Sequence, residues 1–161
     1  MNELKIIVLG DSHRCTENID LAMETLGNMD TVIHTGDNVE DAKYIENNYG
    51  VEVISVPGNC DGSTGDLGDE MITTIKSKKI LVCHGHQYGV KKNIHRIYYR
   101  AKELGCDIAI FGHTHVPFLE KHDGIIILNP GSISMPRGGS QKSCAVMTID
   151  KAVEIEHLNI G

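Results

Sequence analysis

Tryptophan is absent from this chain, and phenylalanine occurs only twice. A core made without large rings has to be aliphatic, built from Ile, Val and Leu. No apolar run approaches the ~20 residues that a membrane-spanning helix needs. The opening Met1-Asn2-Glu3-Leu4-Lys5 has none of the features of a signal peptide. The cysteines, Cys15, Cys60, Cys83, Cys106 and Cys144, form an odd set with no Cys-x-x-Cys pair. Such a set is expected to hold reduced thiols, so the expected location is the cytoplasm. Positive charge is also scarce: 15 Lys and Arg face 22 Asp and Glu, a formal net charge of -7. This argues against a general nucleic-acid binder, which normally displays a basic face. A local positive site stays open, because bound metal ions do not enter the count.

What is present is a series of five polar clusters, each at the end of an apolar run. They are Gly10-Asp11-Ser12-His13, Gly36-Asp37-Asn38, Gly58-Asn59-Cys60-Asp61, His84-Gly85-His86 and Gly112-His113-Thr114-His115. The runs before them are rich in Ile and Val and read as strands over residues 5–9, 31–34, 51–56, 79–83 and 108–111. A helix is expected from an N-cap at Thr16, with Ile19, Ala22, Met23 and Leu26 on one face. A shorter helix is expected over residues 41–48. A third carries Ile94, Ile97, Tyr98, Ala101 and Leu104, with Gly105 as its cap. Pro57-Gly58 stops the third strand, and the glycines at 62, 65 and 68 mark a loop. Residues 70–75 and 79–83 read as a hairpin.

Repeated strand–helix–strand units imply parallel pairing. From Pro117 onward the pattern changes to short strands over 118–121, 124–128, 143–149 and 153–158. These are expected to form a second, largely antiparallel layer. The whole reads as one domain, residues 1–161, with two sheets and helices outside. A chain of this length buries roughly 70% of its unfolded surface.

In an α/β sheet, side chains at the carboxyl ends of strands converge on one crevice. Asp, Asn and His from five strand ends would meet there. Mixed imidazole and carboxylate donors suit divalent Mn, Fe, Ni or Zn. A carboxylate can bridge two ions where a neutral imidazole cannot, and Asp37 suits that role. Two ions about 3.5–4 Å apart clamp the attacking and leaving oxygens of a phosphoryl transfer.

The ordered set Asp-x-His, Gly-Asp, Gly-Asn-x-Asp, His-Gly-His and Gly-His-x-His resembles the calcineurin-like metallophosphoesterase superfamily. It is most similar to the small bacterial and archaeal phosphodiesterases of the YfcE-like group. Asn129-Pro130-Gly131-Ser132 also resembles a later loop of that group. The resemblance implies a four-layer αββα double β-sandwich, an α/β fold of mixed sheets flanked by helices. It puts Asp11, His13, Asp37 and His115 on one metal ion. Asp37, Asn59, His84 and His113 would hold the other and carry the reaction centre. Manganese is the metal it implies, with nickel, iron or zinc open, and a metal-bridging hydroxide is the nucleophile. Small members often self-associate, which leaves room for a homo-oligomer.

One departure stands out: many family members carry His where this chain has Cys60, a substitution that the YfcE-like group shares. A thiol is a weak donor and a different acid from imidazolium. Protonation of the leaving group would then fall to Asp61, His86 or water. Arg137 is a candidate for a bidentate contact with substrate phosphate. Cys60, Asp61, His86 and Arg137 make up the expected substrate-binding set. His34 reads as a packing or surface residue, and His122 and His157 as surface residues. The basic side of the third helix (Lys91, Lys92, Arg96, Arg100) reads as a solvated face, and the remaining cysteines as small buried hydrophobes.

The expected activity is phosphodiester hydrolysis on a small phosphoester. The alternatives are a phosphomonoesterase or nucleotidase, and a non-catalytic interaction scaffold of the same fold.

Overall fold

Strand β1 (Leu4–Leu9) shows how this sequence partitions itself. Successive side chains of a strand point to opposite faces. Ile6 and Val8 enter a core between two sheets, and Ile7 and Leu9 enter a second core under helices. All four are fully buried, as a central strand covered on both faces requires. The computed structural model describes residues 3–36, 39–56 and 70–160. The expected strand stop at Pro57-Gly58 and the glycine-bearing loop after it lie outside the described residues.

β1 is followed by α1 (Thr16–Leu26), β2 (Thr31–His34), α2 (Val39–Tyr49) and β3 (Glu52–Ser55). β1 pairs β2 in parallel, and β2 pairs β3 in parallel. Thr16, expected as an N-cap, is already helical, and Cys15 occupies the cap position without a side-chain bond. The preceding turn explains the shift. Cys15 and Thr16 bond back to the Ser12 and Arg14 carbonyls, so the loop winds directly into the helix.

The second sheet starts with β4 (Glu70–Ile75) and β5 (Lys78–Cys83), an antiparallel hairpin. Its two turn residues, Lys76 and Ser77, both have positive φ, as a tight hairpin turn demands. A single 3₁₀ turn, His86–Tyr88, and α3 (His95–Leu104) lead to β6 (Ile108–Ile110). Gly105 caps α3 in the left-handed conformation, as expected. β7 (Phe118–His122), β8 (Ile125–Asn129), β9 (Ser143–Ile149) and β10 (Val153–Asn159) complete the chain.

These last four strands do not form a layer of their own. β7 and β8 finish the second sheet, in the order β4-β5-β6-β8-β7, while β9 and β10 cross to the first, in the order β10-β9-β1-β2-β3. β8 is moreover parallel to β6, and β9 antiparallel to β1. Turn signals locate a hairpin but do not say which sheet it joins. β1, with β2 on one side only, would otherwise leave a buried edge unpaired, and such an edge is costly.

The architecture is therefore two mixed sheets face to face, flanked by helices. The core between them is Ile6, Val8, Ile33, Ile80, Val82, Ile108, Ile110 and their neighbours, aliphatic as the missing aromatics require. α1 covers the outer face of the first sheet with Ile19, Ala22 and Met23, beside Ile45 of α2. α3 covers the second sheet with Ile97, Tyr98 and Ala101. Among the described residues Cys15, Cys83, Cys106 and Cys144 are free thiols. Burial pushes the Cys144 thiol up to about 12 and raises Cys83 and Cys106 as well, so none of these three is ionised at neutral pH. No helix among the described residues is long and apolar enough to cross a membrane.

Arg100 of α3 is not simply a solvated base. Its Nη2 reaches Glu70 Oε1 at 2.5 Å and its Nη1 reaches Glu103 at 2.6 Å, while the Tyr88 hydroxyl donates to Glu70 as well. The Arg100 bonds hold the Glu70 carboxyl below its ordinary value of 4.5. Burial, with that carboxylate beside it, pushes the Tyr88 phenol up to about 12. A depressed carboxyl contributes stability that is complete above the ordinary value and is lost as pH falls through the folded one. Glu70→Gln should therefore lower the melting temperature at pH 7, and the gap to wild type should close between pH 5 and pH 3. Parallel melting curves across that range would show that the pair has no such linkage.

Candidate metal centre

Asp11 follows β1 and His84 follows β5, while His113 and His115 follow β6, so both sheets deliver ligands at their strand ends. The two turns involved are sterically unusual. Asp11, His13 and Arg14 have φ of 51°, 48° and 65°, and His113 and His115 have 71° and 61°. Non-glycine residues held in such conformations cost about 1–3 kcal/mol each and persist only where their surroundings over-determine them. Asp and His are among the side chains that tolerate the region best.

The surroundings are supplied in part by residues 129–137. Ser132 and Ser134 hydroxyls both donate to the Asp11 carbonyl, at 2.7 and 2.8 Å. Asn129 Nδ2 donates to the Gly112 carbonyl at 3.1 Å and to Thr114 Oγ1 at 2.9 Å. The Arg137 amide donates to the His115 carbonyl at 3.0 Å. His157, expected at the surface, is half-buried and donates to the Asn129 carbonyl at 2.7 Å. His122 is exposed.

The ligand atoms fall into two groups. One atom each from Asp11, His13 and His115 lie within 4.8 Å of one another. His13 Nε2 is 3.3 Å from His115 Nε2, which is 3.6 Å from Asp11 Oδ1. In the second group His84 Nε2 is 3.1 Å from His113 Nδ1. Asp11 also borders the second group: its carboxylate accepts the His113 amide at 3.1 Å, and its Oδ1 lies 3.8 Å from His84 Nδ1. Asp11 and His84 are fully buried, and His115 nearly so.

Ring orientation tests whether such a centre fits divalent ions. His84 Nδ1–H donates to the Thr35 carbonyl at 2.9 Å, and His115 Nδ1–H donates to the Met135 carbonyl at 2.6 Å. A carbonyl only accepts, so each neutral ring keeps its proton on Nδ1 and presents a bare Nε2 lone pair to the group. Backing one imidazole nitrogen with a carbonyl so that the other faces inward is how metal-binding histidines are oriented. Thr35 Oγ1 adds a second sign: it is buried and has no hydrogen-bond partner among the described residues. The donor set fits divalent ions that accept mixed imidazole and carboxylate ligands.

Asp11, His13, His84, His113 and His115 are thus brought together. His86 lies beside the second group, its ring centroid 5.4 Å from His84 and 6.1 Å from His113. Arg137 is exposed on the loop tied to His115. Asp37, Asn59, Cys60 and Asp61 lie outside the described residues. Sequence reasoning passed over Thr35, Ser134, Met135 and the buried Asp41, took buried His34 as a packing or surface residue, and gave Ser12 no role within its cluster. Contacts through backbone carbonyls leave no residue signature. His34 could have been suspected from its place at a strand end, next to a cluster.

The profile of the calcineurin-like phosphoesterase superfamily domain matches residues 4–152. The probable metallophosphoesterase YsnB of Bacillus subtilis is 38% identical over 149 residues, covering 91% of this chain and 85% of that protein. The phosphodiesterase YfcE of Escherichia coli is 29% identical over 106 residues, covering 62% of this chain and 54% of YfcE. A crystal structure of a Streptococcus pneumoniae protein described as a predicted phosphoesterase superposes with a TM-score of 0.84 at 32% identity, covering 99% of this chain and 91% of that one. Vacuolar protein sorting 29 of Cryptosporidium parvum shares the fold alone, with a TM-score of 0.78 at 19% identity over 98% of this chain and 98% of that one.

Close packing around Thr35 generates a test of the site's geometry. A Cβ at Gly10 would meet Thr35 Oγ1 at 1.8 Å, and one at Gly112 would meet the same atom at 2.5 Å. Gly10→Ala should cost about 1–3 kcal/mol by overpacking. Gly10→Ala/Thr35→Ala should return most of that loss, because the clashing oxygen is gone. Urea unfolding of the four proteins gives the coupling. Additive costs would mean that Gly10 and Thr35 do not press on one another.

Proposed function

The chain belongs to the calcineurin-like phosphoesterase superfamily, and we propose that it is a phosphodiesterase working with two divalent metal ions. The observation that carries this reading is the gathering of ligand atoms from Asp11, His13 and His115 within 4.8 Å of one another, with the paired His84 and His113 rings beside them. Asp11, His13 and His115 would hold one ion, and His84 and His113 the other, with Asp37 bridging and Asn59 completing the second. When bound, the two ions supply charge neutralisation at phosphate and an activated water for in-line attack on phosphorus.

The chain's own residues have defined tasks around that chemistry. The Thr35 and Met135 carbonyls hold the His84 and His115 protons on the outer nitrogens. Burial of Asp11 and His84 keeps competing water away from the donors. His86, whose ring lies beside the second group, would protonate the leaving group, with Asp61 or water as the alternatives and Cys60 facing the substrate. Arg137, carried by the loop bonded to His115, would take the non-bridging phosphate oxygens. Manganese suits the imidazole-rich set, with nickel, iron and zinc as alternatives. A scaffold would not need to retain this donor set, and its convergence favours an enzyme.

The substrate is a small phosphoester, and no general nucleic-acid binding accompanies a net charge of -7. We take residues 1–161 as one domain, acting in the cytoplasm, where the free thiols are at home, and open to self-association.

Metal-stripped protein should be inactive on an activated aryl phosphodiester, and manganese should restore turnover better than magnesium. Activity on the diester should exceed that on the matching monoester. Asp37→Ala should abolish turnover and reduce bound manganese at both positions. Full activity in the stripped protein, or full metal content in Asp37→Ala, would sink the two-metal reading.

Arg137→Lys should raise KM roughly ten-fold, the cost of one charge-assisted bond, with manganese content unchanged. An unaltered KM would remove Arg137 from the substrate site.

A further inference from the structure

Three buried polar side chains from three elements form one directed hydrogen-bond chain beside the metal-binding turn. The Gly36 amide donates to His34 Nδ1 at 3.1 Å, so that nitrogen carries no proton. The ring proton of neutral His34 therefore sits on Nε2, which is 3.0 Å from Ser12 Oγ. Ser12 accepts it and donates its own proton to Asp41 Oδ2. The same carboxylate oxygen accepts the Arg14 amide at 2.8 Å. Ser12 and His34 are fully buried, and Asp41 is 3% exposed.

The direction of every bond is settled, and so is its target. Asp41, in the first turn of α2, grips both Ser12 and Arg14, which flank His13 in the stretch where Asp11, His13 and Arg14 have positive φ. His34 ties that stretch to Gly36, the residue before Asp37. We infer that Asp41, Ser12 and His34 are positioning residues that hold Asp11 and His13 in ligand geometry and tie their turn to the end of β2 at Gly36. None of the three is placed on a metal. The inference rests on the two-metal reading and adds what keeps its strained half in place.

Losing partners that orient metal ligands typically costs 10–100-fold in metal affinity. The test is calorimetric titration of manganese into the metal-stripped full-length chain, with melting of the stripped protein alongside. Asp41→Ala and Ser12→Ala should each weaken the binding of one of two ions by at least ten-fold. Asp41→Asn keeps an acceptor oxygen and should stay within about three-fold of wild type, taking three-fold as well short of that typical loss. Tyr44→Phe, which breaks the Tyr44–Asp20 bond elsewhere on α2, is the control. It should lower stability without changing manganese affinity. If Asp41→Ala does not fold, the milder Ser12→Ala decides.

Wild-type affinity in Ser12→Ala and in every folded Asp41 variant would overturn the inference and leave the function standing. An equal loss of affinity in Tyr44→Phe would reduce the effect to general destabilisation and also overturn it. A wild-type chain that takes up no manganese would remove the functional reading, and this inference with it.

Discussion

Thr35 is wedged between two glycines of different sheets, and the site depends on that contact. Gly10 directly follows the central strand of the first sheet, and Gly112 lies just past β6 in the second. A side chain on either would collide with the Thr35 hydroxyl. The Thr35 carbonyl meanwhile takes the His84 proton across the gap between the sheets, and its amide bonds back to Leu9. Widening the gap by one methyl group would pull His84 from its acceptor and separate Asp11 from the His113 amide. The aliphatic core between the sheets sets their separation over the rest of their length.

Strain and support in the two turns are complementary. Five non-glycine residues in left-handed backbone would be expensive on an open surface. Here the carbonyls of Asp11, Gly112 and His115 are taken up by donors from Ser132, Ser134, Asn129 and Arg137 of one segment. The polar atoms doing this are mostly buried, so each bond has a high cost of rupture.

Sequence patterns revealed the strands, the helices and the clusters because each rests on local signals. β1, β5 and β6 were visible as Ile- and Val-rich runs, and Gly105 as a cap. The destination of β9 was not visible, since pairing with β1 links Leu4 to Ile149 across nearly the whole chain. At the site, Asp11, His13, His84, His113 and His115 stood out because their types are unusual at strand ends. Met135 and Thr35 act through backbone carbonyls, which any residue could provide. Asp41 was legible only as the first residue of an expected helix and is a buried anchor, something only the approach of α2 to the first turn could show.

The pairing of β1 with β9 has a consequence for how the molecule comes into being. The first strand of the chain is flanked on one side by one of its last, and the Asp11 turn hangs from Ser132 and Ser134. During synthesis, which delivers about 5–20 residues per second, Asp11 and His13 emerge well before Ser132 and Ser134. They wait for more than a hundred others before their turn can close. A nascent or carboxy-terminally clipped chain therefore exposes one bare edge of β1 and has no assembled centre. The turn that carries Asp11 and His13 gains its supports only once the segment through Ser134 has been made.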